Sequence, residues 1–215
     1  MKRVIVLVDG LNLYHAIDNH PNWHGFKWLN LKSLANALIM PSQETVIEIC
    51  FFTSVPTWNL NKHNRHRTLL RVYADLGIRI IEGKIRRADR KCRASCEQTY
   101  IDHEEKQTDI NIAIEMLRAG MEDRTDKVIL ITADSDQIPA IRIFREKFPA
   151  KELMVAVPPG EDAEEICGSV TKYAQINLGQ LKRSLIDDPY TTKDGTIIPK
   201  PPSWMHKTIY PPRSP

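Results

Sequence analysis

The chain alternates between runs dense in apolar or β-branched residues and longer stretches with helical spacing. Residues 3–8, 45–52, 79–83, 127–131 and 152–157 predict strands, and runs such as Val-Ile-Val-Leu-Val fit strands covered on both faces. Between them, residues 11–17, 31–39, 61–76, 104–119 and 137–148 predict helices, with a short one at 161–166. In the 61–76 helix Leu69, Val72, Tyr73 and Leu76 share a face, and Gly77 closes it. In the 104–119 helix Ile110, Ala113, Ile114 and Leu117 recur at i, i+3, i+4, i+7 and predict the core-facing stripe. Residues 19–31 scatter Trp23, Phe26 and Trp28 among polar residues and predict a loop, whereas residues 84–103 show no period. This alternation predicts an α/β fold, a doubly wound parallel sheet flanked by helices.

Length changes that picture little: 215 residues suit one substantial domain, here 1–186, followed by a tail. Seven of the fourteen prolines fall between residues 189 and 215, so 187–215 is expected to be an extended Pro-rich tail, docked through Trp204 or Tyr210. The apolar run after Met1-Lys-Arg is five residues long before Asp9 ends it, short of the roughly 7–15 of a signal segment. With every other apolar run too short to cross a bilayer, the expectation is a cytoplasmic protein with no membrane partner. Four cysteines do not make a disulfide framework, and Cys50 and Cys167 sit in or near apolar surroundings.

Candidate chemistry collects at strand ends. The 127–131 strand runs through Thr132 and Ala133 into Asp134-Ser-Asp136, and one Asp there is explained as a helix N-cap, but two are not. Asp9 ends the first strand, and carboxyl ends of parallel strands are where open α/β sheets bind ligands. Asp109 lies within about 40° of Ala113 and about 20° of Met116 around its helix, which places it on an apolar face near the helix start. Two carboxylates about 4 Å apart repel by roughly 4 kcal/mol at an effective dielectric near 20, so such a cluster protonates, spreads or holds a cation. An all-carboxylate set favours Mg²⁺ or Mn²⁺, ions that bind phosphates and activate water for in-line attack on a phosphodiester. Asn12 is read as bracing Asp9 or substrate, or as an N-cap, and Thr132 as orienting an aspartate or as a plain strand residue. Glu115 lies about 240° around the helix from Asp109 and is expected on another face.

Three blocks, Val8-Asp-Gly-Leu-Asn12, Glu105-Lys-Gln-Thr-Asp109-Ile-Asn and Thr132-Ala-Asp-Ser-Asp136, resemble the signature blocks of NYN domains. These are PIN-like nucleases, and the similarity is greatest to the LabA-like branch; it spans about residues 3 to 180. The resemblance implies a PIN-like fold and metal-dependent hydrolysis of RNA, with Asp9, Asp109, Asp134 and Asp136 at the acidic positions. Ala133 and Gln137 depart from the family pattern beside the site.

Charge sharpens the partner. Net charge is only +3, yet residues 62–93 hold eleven Lys or Arg against three acids. Lys62, Arg65, Arg67, Arg71, Lys84, Arg86 and Arg87 are candidate contacts to an RNA backbone, the other reading being a solvated helix face and loop. Trp23, Trp28 and Trp58 are candidates for base stacking or for packing. Cys92, Cys96 and His103 sit in the same segment, a basic insertion at 84–103, and are candidate ligands for a structural Zn²⁺, with His63, His66 or water as a fourth; the alternative is two reduced thiols. The leading expectation is an endoribonuclease acting on single strands or loops. Its rivals are an RNA-binding scaffold with a degenerate site and, lower, a small-molecule phosphohydrolase, which would want a second acid two residues after Asp9. Homo-oligomerisation stays open.

Overall fold

The computed structural model describes residues 1–92 and 98–205. The chain runs through β1 (Lys2–Asp9), α1 (Gly10–Asp18), α2 (Leu31–Asn36), β2 (Glu44–Thr53), α3 (Leu60–Asp75) and β3 (Arg79–Glu82). It continues through β4 (Lys84–Lys91), β5 (Thr99–Lys106), α4 (Thr108–Met121), β6 (Lys127–Ile131), α5 (Ile138–Lys147) and β7 (Glu152–Val157). It then passes through α6 (Glu164–Gly168), β8 (Lys172–Gln175), α7 (Leu178–Arg183), β9 (Tyr190–Thr191) and β10 (Ile197–Ile198). Six strands form one parallel sheet in the order β3-β2-β1-β6-β7-β8, flanked by helices, which is the expected α/β fold.

Strand alternation divides the core. Val4, Val6, Val8, Ile129 and Ile131 face one layer with residues of α1, α2 and α3, while Ile5, Leu7, Val128 and Leu130 face the other with residues of α4, α5 and α6. β1 is buried from Val4 onward, as its unbroken apolar run predicts. The chain leaves β1 toward β2 and β3, then returns to its other side through β6, β7 and β8. The strand order therefore reverses between β1 and β6, and the crevice at their carboxyl ends is a topological switch point.

Four local expectations are corrected. Residues 84–103 are not patternless: β4 and β5 pair as an antiparallel hairpin from Lys84↔Lys106 to Lys91↔Thr99. Neither strand buries a full face, so no apolar alternation marked them. The helix expected from Glu104 begins at Thr108, because Glu104 to Lys106 belong to β5 and Gln107, at φ 81, turns the chain between them. The stripe on α4 is also different: Ile112, Met116 and Ala119 are buried with Glu115, whereas Ile110 and Ile114 are 63% and 58% exposed. Two faces of α4 are apolar, and periodicity alone cannot choose between them. The loop expected at 19–31 contains a 3-10 helix, Pro21–Lys27, followed by a fully buried Trp28.

β8 went unanticipated, since Lys172-Tyr-Ala-Gln is short and exposed at three positions on the sheet edge. Trp204 is buried with its ring 6.4 Å from that of Trp28. Tyr210 lies outside the described residues. No described helix is long and apolar enough to cross a membrane.

Candidate active site

β1 and β6 are hydrogen-bonded neighbours, with Val8 opposite Ile131, so the residues leaving them emerge side by side. Asp9 ends β1 and caps α1, its Oδ1 accepting from the Asn12 backbone N–H at 3.0 Å. Asp134 leaves β6 and caps the following 3-10 turn, accepting from the Asp136 N–H at 2.9 Å. Asp109 stands in the first turn of α4, whose amino end lies at the same edge, where an acid also complements the helix dipole. One carboxylate oxygen from each of Asp9, Asp109 and Asp134 lies within 4.8 Å of the others. Asp136 falls outside that group but is near enough to raise the pKa of Asp109. Asp109 is exposed, in contrast to the apolar face expected for it.

The surrounding polar residues fix these carboxylates. The Thr132 hydroxyl donates to Asp9 Oδ2 at 3.0 Å and accepts from the Asp134 N–H at 3.1 Å, so one buried side chain ties both strand ends together. The Asn12 side chain is a brace: its Oδ1 accepts from the Ala133 N–H at 2.9 Å and joins α1 to the turn after β6. Gln137 is buried, with its Nε2 3.5 Å from Asp109 Oδ1 and its Oε1 without a hydrogen-bond partner among the described residues. Glu105, seen in sequence only as part of a block, accepts from the Ser54 hydroxyl at 2.9 Å, the Thr108 N–H at 3.2 Å and the Thr108 hydroxyl. Gly83 leaves room for that knot, since a Cβ there would come within 2.6 Å of Glu105 and Thr108 and 2.7 Å of Ser54.

Burial pushes the Asp9 carboxyl up to about 6; the bonds from Asn12 and Thr132 oppose this, and the charges of Asp109 and Asp134 add to it. Asp109, although exposed as a residue, is raised as well, first by partial desolvation of its carboxyl and then by Asp134, Glu105 and Asp136. Among the described residues none of these four aspartates forms an ion pair. Three close carboxylates, two with raised pKa values and no basic partner, fit a hard divalent cation, and an all-oxygen donor set suits Mg²⁺ or Mn²⁺.

Beside the acids lies a cavity of about 270 Å³. Gly10 and Leu11, which follow Asp9, line it together with Tyr14, Trp58, His66 and His103. Lys62 and Arg65 also line it, whereas Arg67 is held by Glu82 at 2.7 Å and Arg71 lines a separate hollow with Pro199 and Pro202. On β4, Ile85 faces the cavity; Arg87 shares its side, paired with His103, while Lys84 and Arg86 point away. Trp28 is core, Trp23 packs on His20 with centroids 3.8 Å apart, and only Trp58 of the three candidates lines the cavity.

The hairpin separates Cys92 from His103. Cys92 bonds to Gln98 at the far end, and His103 pairs with Arg87 five residues along, roughly 16 Å away at about 3.3 Å per residue. Cys96 lies outside the described residues. His103 instead stacks on Trp58, with centroids 4.0 Å apart and planes 17° off parallel. His63 bonds to the Pro56 carbonyl and His66 to Thr53.

An acidic crevice at the switch point of a parallel sheet is where an open α/β fold places a ligand site. The chain belongs to the NYN domain family, whose sequence pattern matches residues 3–177; that family is part of the PIN-like nuclease superfamily. It is similar, at 24% identity over 94% of this chain and 75% of the relative, to the 6-hydroxy-3-succinoylpyridine 3-monooxygenase HspA of Pseudomonas putida (strain DSM 28022 / S16). Its fold is similar to the crystal structure of VPA0982, a protein of unknown function from Vibrio parahaemolyticus RIMD 2210633. That likeness has a TM-score of 0.58 at 12% identity, over 86% of this chain and 96% of the other.

Proposed function

We propose that the protein is a divalent-metal-dependent ribonuclease that cleaves single-stranded or looped RNA internally. The observation that carries this reading is the group Asp9, Asp109 and Asp134, within 4.8 Å and without a counter-cation among the described residues. These three would hold Mg²⁺ or Mn²⁺, with Asp136 at the margin. When bound, such an ion offsets phosphate charge and lowers the pKa of water for attack on phosphorus. Thr132 and Asn12 hold the carboxylates in place, so little reorganisation is needed on binding. Lys62 and Arg65 line the adjoining cavity and supply positive charge for the backbone that the acids repel.

Incubation of a mixed single-stranded RNA with Mn²⁺, Mg²⁺ or EDTA tests this directly. Shortened products are expected with either ion and not with EDTA or with Asp134→Asn. Equal cleavage by that variant overturns the assignment, and binding without cleavage under every condition points to an RNA-binding scaffold. A second reading comes from the relative named as a monooxygenase of a hydroxypyridine, because the aromatic-lined cavity could seat a planar nitrogen heterocycle. Oxygen-dependent conversion of 6-hydroxy-3-succinoylpyridine, with no RNA cleavage, would favour it.

A further inference from the structure

The cavity beside the acids combines three features that no single structural role explains. Its aromatic wall holds an exposed tryptophan: Trp58 is 46% exposed, yet it lies flat against His103 rather than packed into the core. Its basic wall holds Lys62 and Arg65, one helical turn apart on α3, and neither forms an ion pair with a described residue, unlike Arg67 beside them. Its inner end adjoins the acids: Gly10 and Leu11, which follow Asp9, line it, as does Glu105, whose charge acts on Asp109. Its volume of about 270 Å³ is just under the lower bound, roughly 300 Å³, of typical small-ligand pockets. One nucleotide fits that scale; a duplex does not.

We infer that this cavity is a nucleotide subsite: it takes one unpaired base on the Trp58–His103 platform and the attached phosphate on Lys62 and Arg65. Stacking on an aromatic face tolerates any base, and the two cations recognise only the phosphate, so the subsite selects unpaired strands rather than sequence. His103 serves here as half of a stacking platform. His66, which burial holds down at about pH 4 and which bonds to Thr53 at 3.0 Å, stays neutral at pH 7 and adds polar wall without charge. The Ser54 and Thr108 bonds to Glu105 keep that carboxylate at the inner end, where it faces any base entering the cavity. This deepens the ribonuclease reading and rests on it for the placement of the scissile phosphate at the acids.

The experiment is fluorescence anisotropy of a labelled single-stranded RNA with the full chain in EDTA, so that binding is read without cleavage. Trp58→Ala is expected to weaken binding about tenfold, and Lys62→Gln with Arg65→Gln to weaken it and flatten its salt dependence. A duplex of the same sequence is expected to bind weakly and to be indifferent to Trp58→Ala. Because Trp58 is half exposed, its removal leaves the fold intact, which circular dichroism verifies. Competition by adenosine monophosphate separates two sources of the same chemistry: displacement of the RNA means that a free nucleotide is accepted, and no displacement at millimolar concentration means that a strand residue is required. Binding by Trp58→Ala and by the double variant within twofold of the parent overturns the subsite. A protein that binds through Trp58 but cleaves nothing with Mn²⁺ leaves the subsite standing and removes the nuclease reading alone.

Discussion

Two carboxylate clusters share α4, and their difference separates structural acid from chemical acid. Asp9, Asp109 and Asp134 gather at the carboxyl ends of the strands, whereas Glu48 and Glu115 gather with Cys50 between β2 and the middle of the helix; both groups satisfy the spacing of metal ligands. The second cluster is already neutralised: Arg79 binds Glu48 at 2.6 Å, Arg124 binds it at 2.7 Å, and both arginines reach Glu115. Burial has also pushed the Cys50 thiol up to about 12, far from the thiolate that a metal would want. Among the described residues the first cluster has hydrogen bonds from Thr132, Gln137 and backbone N–H groups and no ion pair, so its charge is oriented without being cancelled. Proximity of acids is common to both; the missing counter-cation distinguishes one.

The largest expected effect falls on activity. Asp134→Asn should lower RNA cleavage by at least about a hundredfold, with stability to urea unchanged within about 1 kcal/mol. Loss of stability with retained cleavage would reverse the roles of the two clusters. Next comes Glu115→Gln, which leaves Arg79 and Arg124 to share Glu48 as their remaining carboxylate in this cluster. With both arginines still paired and partly exposed, it should cost about 1–2 kcal/mol in urea unfolding, while the cleavage rate per folded molecule stays near that of the parent.

Titration sharpens the contrast. The folded-state pKa of Asp9 is raised from 3.8 to about 6. In EDTA its contribution to stability is therefore full below pH 4 and is lost as pH rises through 6, by up to about 3 kcal/mol. Asp9→Asn should remove that loss and leave the metal-free protein more stable at pH 7. His66 runs the other way, because its depressed pKa of about 4 makes stability present above pH 6.5 and lost as pH falls. Urea midpoints between pH 4 and 7 for Asp9→Asn and His66→Gln should thus diverge in opposite senses from the parent. The smallest effect is that of Thr132→Val, which removes one bond to Asp9 and one from the Asp134 N–H. A stability cost of about 1 kcal/mol is expected, with cleavage reduced several-fold through misplaced carboxylates.

Much of this site was legible because its residues follow strong signals. Asp9 and Asp134 terminate unbroken apolar runs, and a parallel sheet carries such termini to one edge. Asp109 reached the same edge for a different reason than its predicted face: the amino end of α4 lies there, whichever stripe turns inward. Periodicity points to the wrong stripe because Ile110 and Ile114 are as apolar as Ile112 and Met116, and burial depends on neighbours that a single helix cannot display. The hairpin escaped because strands with two wet faces carry no alternation. Its pairing could not be anticipated, so neither could the separation of Cys92 from His103 or the stacking of His103 on Trp58. The sequence marks Asn12 as a brace or a cap, but its bond to the Ala133 N–H spans 121 residues and emerges only from the fold.

The most direct measurement is thermal unfolding of the full chain against Mn²⁺ concentration, alongside Asp134→Asn and Glu115→Gln. An ion held by the folded acids adds RT ln(1 + [L]/Kd), about 3 kcal/mol at a hundredfold excess over Kd, and raises Tm by several degrees. The parent and Glu115→Gln should both show that rise, from different starting points, and Asp134→Asn should not. A Tm for the parent that does not move with Mn²⁺ or Mg²⁺, or one that moves equally in Asp134→Asn, would contradict the cation site at the switch point.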